Sequence, residues 1–90
     1  KETVNEVIRF APQAARYVRE KHWHDSQQVV EQEDGGLTLK LNTSGLGEVK
    51  RWVLQYGGDA EVIAPAKLRE EIIKETKSMT KRYRKQITKK

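Results

Sequence analysis

Two histidines and an aspartate, His22, His24 and Asp25, come nearest to the spacing of a metal site. A His-x-His pair beside a carboxylate supplies three ligands of the types that Zn²⁺ accepts. The sequence has no cysteine and no further histidine to complete such a set. A polar helix end is the more frequent explanation, so we predict no metal site and no cofactor.

Nucleophilic chemistry has little support in the sequence. Ser26 and Ser44 lie in predicted turns, and neither is flanked by the glycines of a nucleophile elbow. The glycines also do not form a phosphate-binding loop that ends in Lys-Ser/Thr. We therefore predict that the chain is not an enzyme.

The charge of the chain is unevenly distributed. The net charge is +5, and it divides into −2 over residues 1–66 and +7 over residues 67–90. A phosphate-bearing effector or a polyanion would be contacted by cations, and the candidates are Arg9, Lys40, Arg51, Arg69, Lys81, Arg82, Arg84 and Lys85. Surface ion pairs are the alternative explanation for Arg51 and Arg69, and a solubilising, partly frayed terminus is the alternative for the basic end.

The length of 90 residues indicates one domain with a modest core. No apolar run is long enough for a membrane span, and no signal peptide is recognisable. Without cysteines the chain is compatible with a reducing compartment, and we expect a cytoplasmic location. Because the sequence starts at Lys1 without a methionine, we expect a fragment of a longer protein.

Hydrophobic patterns predict four strands, at about 4–10, 27–33, 37–41 and 60–64. The first and third alternate between apolar and polar residues, and Asp34-Gly35-Gly36 is a strong hairpin signal.

Helical patterns follow Pro12 through about His22, span about 46–56 before Gly57-Gly58, and resume after Pro65. The order β–α–β–β–α–β–α predicts an α+β, ferredoxin-like βαββαβ sandwich with an additional C-terminal helix. The first two helices are expected on one face of an antiparallel sheet.

RNA recognition on such a sheet would require aromatic residues on the central strands. Residues 37–41 contain none, and Phe10 is predicted to point inward. Arg9, Thr38 and Lys40 could still contact phosphates, although a solvated or covered polar face is the more frequent case. Trp52 is predicted to lie in the core, with an interface patch as the alternative.

Several motifs together resemble the C-terminal extension (WCX) domain of WYL-domain transcriptional regulators. They are Val7-Ile8-Arg9-Phe10, Val18-Arg19-Glu20-Lys21, Trp23-His24-Asp25-Ser26-Gln27, the Gly35-Gly36 hairpin before Leu-Thr-Leu-Lys-Leu, and Trp52-Val53-Leu54-Gln55-Tyr56-Gly57 with Ala60-Glu61-Val62-Ile63-Ala64-Pro65 and Leu68-Arg69-Glu70. The resemblance covers roughly residues 4–83, and we assign 1–83 to the domain and 84–90 to a basic tail.

The resemblance implies a non-catalytic regulatory and dimerisation domain of a bacterial helix-turn-helix regulator. It implies covalently linked WYL and winged-helix domains, DNA binding through the winged-helix domain, and a nucleic acid or nucleotide effector. From the sequence itself, which has no long apolar run, we expect no membrane partner. A stand-alone nucleic-acid-binding module that acts through the basic helix is the alternative.

The last helix also predicts self-association. Its apolar stripe continues through Met79, Tyr83 and Ile87, beyond the length that a small sheet can cover. We therefore predict a homodimer interface there. Because cations surround the stripe, packing against the partner's sheet or edge strand is favoured over a parallel coil.

Overall fold

The computed structural model describes residues 2–88 of the chain, with side chains over residues 2–84. Its elements are β1 (Val4–Phe10), α1 (Pro12–Arg19), β2 (Gln28–Glu31), β3 (Leu37–Thr43), α2 (Leu46–Leu54), β4 (Ala60–Ala64) and α3 (Ala66–Thr88), with a 3-10 turn at Gly57–Asp59. The described residues therefore form an α+β structure in which four antiparallel strands are combined with three helices.

The strands lie in the order β2-β3-β1-β4. In the central pair, Phe10 is opposite Leu37 and Ile8 is opposite Leu39. Strand alternation places these four side chains on one face of the sheet, and all of them are buried. The predictions of a four-stranded antiparallel sheet and of an inward Phe10 are confirmed.

Helices α1 and α2 cover this same face, as predicted. Ala14, Ala15 and Val18 of α1 and Val49 and Val53 of α2 join one hydrophobic core with the buried strand residues. The alanines let α1 approach the sheet closely, because short side chains hold the helix backbone near the strands. Leu68 of α3 is buried in this core as well.

Helix α2 ends at Leu54, two residues earlier than the apolar spacing predicted. The chain then turns, and Gly57 adopts a φ of +56°. A residue with a Cβ is disfavoured in this left-handed region. The positive φ predicted for Gly57-Gly58 is therefore confirmed at Gly57 and not at Gly58.

Other boundaries differ from the predictions in both directions. Strand β2 is limited to Gln28–Glu31, because it is an exposed edge strand that pairs with β3 alone. Helix α1 ends at Arg19 rather than near His22. Strand β3 extends to Thr43, because β1 pairs with it over its whole length.

The hairpin between β2 and β3 contains the predicted turn residues in a five-residue loop, positions 32–36. Gly35 has a φ of +94°, and the backbone N–H of Gly36 donates to Asp34 Oδ1 over 2.8 Å. The side chain of Asp34 therefore holds the turn in shape.

Candidate interaction surfaces

An apolar cleft lies between α2 and α3. Helix α3 has 23 residues, about 35 Å at 1.5 Å per residue, whereas α2 has nine. The distal part of α3 therefore continues past the end of α2. The resulting cleft has a volume of about 740 Å³, and we call it the α3 cleft. Its apolar lining includes Val53, Leu54, Ile72, Met79 and Tyr83, and the polar residues Glu75, Thr76, Thr80 and Arg84 line it as well.

Two residues of the predicted interface lie in the α3 cleft. Met79 is 46% exposed and Tyr83 is 64% exposed, and both line the cleft. The third, Ile87, has a side chain outside the described residues. Val53 and Leu54 complete the opposite wall, which sequence reasoning did not anticipate because it depends on how two separate helices approach each other.

The distal half of α3 is also basic. Lys77, Lys81, Arg82 and Arg84 are all exposed, and the sequence contains no acidic residue after Glu75. The side chain of Lys85, another candidate cation, lies outside the described residues. The assigned boundary between residues 83 and 84 falls within α3.

Arg9 and Lys40 share the face of the sheet that points away from the helices. Lys40 is opposite Val7, and Arg9 is opposite Thr38, so the two cations are diagonal neighbours about 7–8 Å apart at their backbones. Thr38 is buried, and its Oγ1 accepts a hydrogen bond of 3.2 Å from Gln32 Nε2. The strand register therefore brings together the two cations that sequence reasoning named separately.

Arg51 and Arg69 are placed differently from each other. Arg69 Nη1 donates to the carbonyl oxygen of Val62 over 2.7 Å and lies 3.3 Å from Glu61 Oε2. This side chain therefore ties the start of α3 to β4. Arg51 lies exposed on α2.

The histidine segment makes local contacts that organise the connection from α1 to β2. His22 Nε2 lies 3.0 Å from Asp25 Oδ1. Ser26 Oγ lies 2.8 Å from His24 Nδ1 and accepts a 2.8 Å hydrogen bond from the backbone N–H of Asn42. Ser26 thus connects the loop to β3. Residues 2–84 contain no group of three or more His, Cys, Asp or Glu side chains that could hold a metal ion.

Glu6 is a buried carboxyl that sequence reasoning missed. Its side chain is 0% exposed, and strand alternation places it on the same face of β1 as the buried Ile8 and Phe10. Thr43 Oγ1 donates to Glu6 Oε2 over 2.7 Å, whereas Oε1 has no hydrogen-bond partner among the described atoms. Burial raises the pKa of Glu6. Its position in the alternating pattern was the signal that could have identified it.

Aromatic side chains form a chain of contacts across the helical face. Trp52 lies 5.5 Å from Phe10 and 4.8 Å from Trp23 between ring centroids, and Tyr56 lies 5.2 Å from Phe10. Trp23 Nε1 donates to the carbonyl oxygen of Val18 over 2.9 Å. Trp52 is half-buried and packs against the core, so the predicted core position is confirmed only in part.

None of the helices, over the residues that the structure describes, has the length and apolar character needed to cross a membrane.

Comparison with protein families gives one finding. The family model for the WCX domain matches residues 2–80. The chain therefore belongs to the WCX family, as its motifs indicated, and this is a family of regulatory-type domains. The comparison with curated proteins gave no match.

Proposed function

We propose that this chain is the non-catalytic regulatory and dimerisation domain of a bacterial helix-turn-helix regulator of the WYL type. Membership of the WCX family supports the association with such regulators. The observation that carries the dimerisation part is the α3 cleft, in which Met79 and Tyr83 are exposed beside the apolar side chains of α2.

We also propose that the fold is ferredoxin-like. The order β–α–β–β–α–β and the sheet order β2-β3-β1-β4 support it. Helix α3 is then an addition to the sandwich, and an addition of 23 residues offers contact surface that the sandwich does not use for its own core.

Exposed apolar surface supports a second copy of the chain as the occupant of the α3 cleft. Apolar surface left in water is unfavourable by about 25 cal/mol per Å². A twofold axis brings the same patch of two copies into contact, so each patch buries the other. Twofold dimers are also the commonest oligomers. The homodimer therefore needs no other partner to bury Met79 and Tyr83.

The remaining parts of the proposal concern a longer protein. Covalently linked WYL and winged-helix domains would bind DNA and an effector of nucleic-acid or nucleotide type, and the protein would be cytoplasmic. This domain would relay the state of the effector through the dimer. Of the candidate cations, Arg9 and Lys40 lie together on the sheet, and Lys81 and Arg84 lie together on α3; either pair is placed to contact a phosphate.

A charge placed in the α3 cleft tests the dimer. Met79→Asp puts a carboxylate against Val53 and Leu54, and we expect it to convert a dimer at tens of micromolar into a monomer by sedimentation velocity. The matched control is Ser78→Asp, which adds the same charge one residue earlier, at an exposed position outside the cleft lining. A dimer that survives Met79→Asp as well as Ser78→Asp would contradict the use of this surface.

A nucleic-acid-binding module that acts through α3 is the second candidate. Four exposed cations on distal α3 favour it. We expect weak retardation of DNA or RNA in a gel, lost when Lys77, Lys81, Arg82 and Arg84 are changed to glutamine and lost as salt rises, because phosphate contacts release counterions. Tight, sequence-selective binding that persists in the glutamine variant would contradict a role for these cations.

A further inference from the structure

Charge is segregated along α3. Over residues 66–75 the helix carries three cations and three acids, the acids being Glu70, Glu71 and Glu75. Over residues 76–84 it carries four cations and no acid. Two copies of this helix placed side by side therefore repel or attract each other according to their relative direction.

The wall that α3 contributes to the cleft has the spacing of a helix–helix seam. Ile72, Thr76, Met79 and Tyr83 are separated by four, three and four residues, the alternation that keeps side chains facing a partner helix. The middle of the seam lies between Thr76 and Met79, and the small side chain of Thr76 permits close approach there.

The flanks of this seam carry complementary charges. Glu71 and Glu75 lie on one flank, and Arg82 follows Glu71 by eleven residues, about three helical turns, so it lies on the same flank. Lys50 Nζ is 3.8 Å from Glu71 Oε1 and 3.7 Å from Glu75 Oε1, at the long end of ion-pair distances. The side chains of Glu71 and Glu75 remain 46% and 43% exposed, so each carboxylate can accept a further cation.

We propose that a second copy of the chain occupies the α3 cleft with its α3 antiparallel to the first, around a twofold axis near Thr76. This inference rests on the proposed dimerisation function and specifies its geometry. In the antiparallel arrangement equivalent flanks face each other, so Arg82 of the partner subunit approaches Glu71 and Glu75. A parallel arrangement would instead place the four distal cations of both copies together, which is unfavourable.

Cross-linking of single-cysteine variants tests the direction, because the chain contains no cysteine of its own. In the antiparallel pair, Thr76 lies beside its own copy across helix axes about 8–10 Å apart. Arg84 lies eight residues from the axis on each copy, so its two copies are about 24 Å apart along the helices. We expect a short bis-maleimide to link Thr76→Cys into a covalent dimer and to leave Arg84→Cys unlinked.

The possible results separate this inference from the proposed function. Cross-linking of Arg84→Cys, or of neither variant while sedimentation shows a dimer, would overturn the antiparallel arrangement and leave dimerisation standing. A chain that sediments as a monomer at every concentration would overturn both. Cross-linking of Thr76→Cys alone, with the sedimentation of both variants unchanged, supports the arrangement.

Discussion

Glu6 places an ionisable group on the core face of β1, beside residues that are wholly apolar. Its carboxyl accepts a hydrogen bond from the hydroxyl of Thr43, which in turn accepts a 3.3 Å hydrogen bond from the backbone N–H of Gly45. Glu6 is thus connected to the start of α2. Because burial raises its pKa, the folded protein holds the proton more tightly than the unfolded chain does.

This raised pKa has a direct consequence for stability. Stability falls as pH rises from the pKa of an unfolded glutamate, about 4.3, through the higher pKa of the folded state, because ionisation is then opposed by burial. Glu6→Gln cannot ionise and retains an oxygen for the Thr43 hydroxyl. We expect its free energy of unfolding in urea, relative to wild type, to be higher at pH 8 than at pH 4.

The exposed Glu33 offers a matched control, since Glu33→Gln removes a carboxylate from the hairpin loop without changing the core. Its effect on the free energy of unfolding should vary less between the two pH values. An equal difference from wild type at both pH values for Glu6→Gln would show that ionisation of Glu6 does not affect folding.

At the scale of elements, the passage from α2 to β4 depends on one glycine of a pair. Gly57 has a φ of +56°, whereas Gly58 has no positive φ, and an added Cβ would meet no atom within 4 Å at either position. Backbone conformation alone therefore distinguishes the two residues.

Alanine substitutions should separate them. Gly57→Ala forces an L-residue into the left-handed region, so we expect a loss of about 1–2 kcal/mol in the free energy of unfolding. Gly58→Ala should leave the protein unchanged or stabilise it by up to about 1 kcal/mol, since it restricts only the unfolded chain. Urea titration of both variants checks this, and equal losses would refute the distinction.

Local patterns were sufficient to predict most elements. The alternation of Ile8 and Phe10 with polar residues identified β1, and the short apolar run before Pro65 identified β4. They were insufficient for β2, because an exposed edge strand ends where its partner's hydrogen bonds end rather than where its own pattern ends. The C-terminal end of α1 likewise depended on tertiary contacts and could not be read from its own pattern.

The candidate surfaces were predictable only in part. Met79 and Tyr83 were identified because their helical spacing continues beyond the length of helix that a small sheet can cover. The opposite wall, Val53 and Leu54, could not be identified because it arises from the packing of α2 against α3. Glu6 was missed because it is a single acid at an otherwise apolar position of a strand, whereas the charge pattern of the sequence consists of a run of cations.

At the scale of the whole molecule, the protein consists of a packed core and a helix that extends from it. The sheet, α1, α2 and the first turns of α3 share one hydrophobic core, whereas the distal part of α3 presents apolar and basic side chains away from it. If the proposed pairing buries the apolar part and engages Arg82, then Lys77 and Lys81 remain available at the edges of the dimer. Dimerisation and polyanion binding then compete for Arg82 but not for these two lysines.

The most direct test of the central claim uses Met79, the sole methionine of the chain. A ¹³C-methyl label on methionine gives one NMR signal, located in the α3 cleft. We predict that this signal shifts or broadens as protein concentration rises, with the same midpoint as dimer formation by sedimentation. A Met79 signal that stays unchanged while sedimentation reports a dimer would place the interface elsewhere and contradict the account.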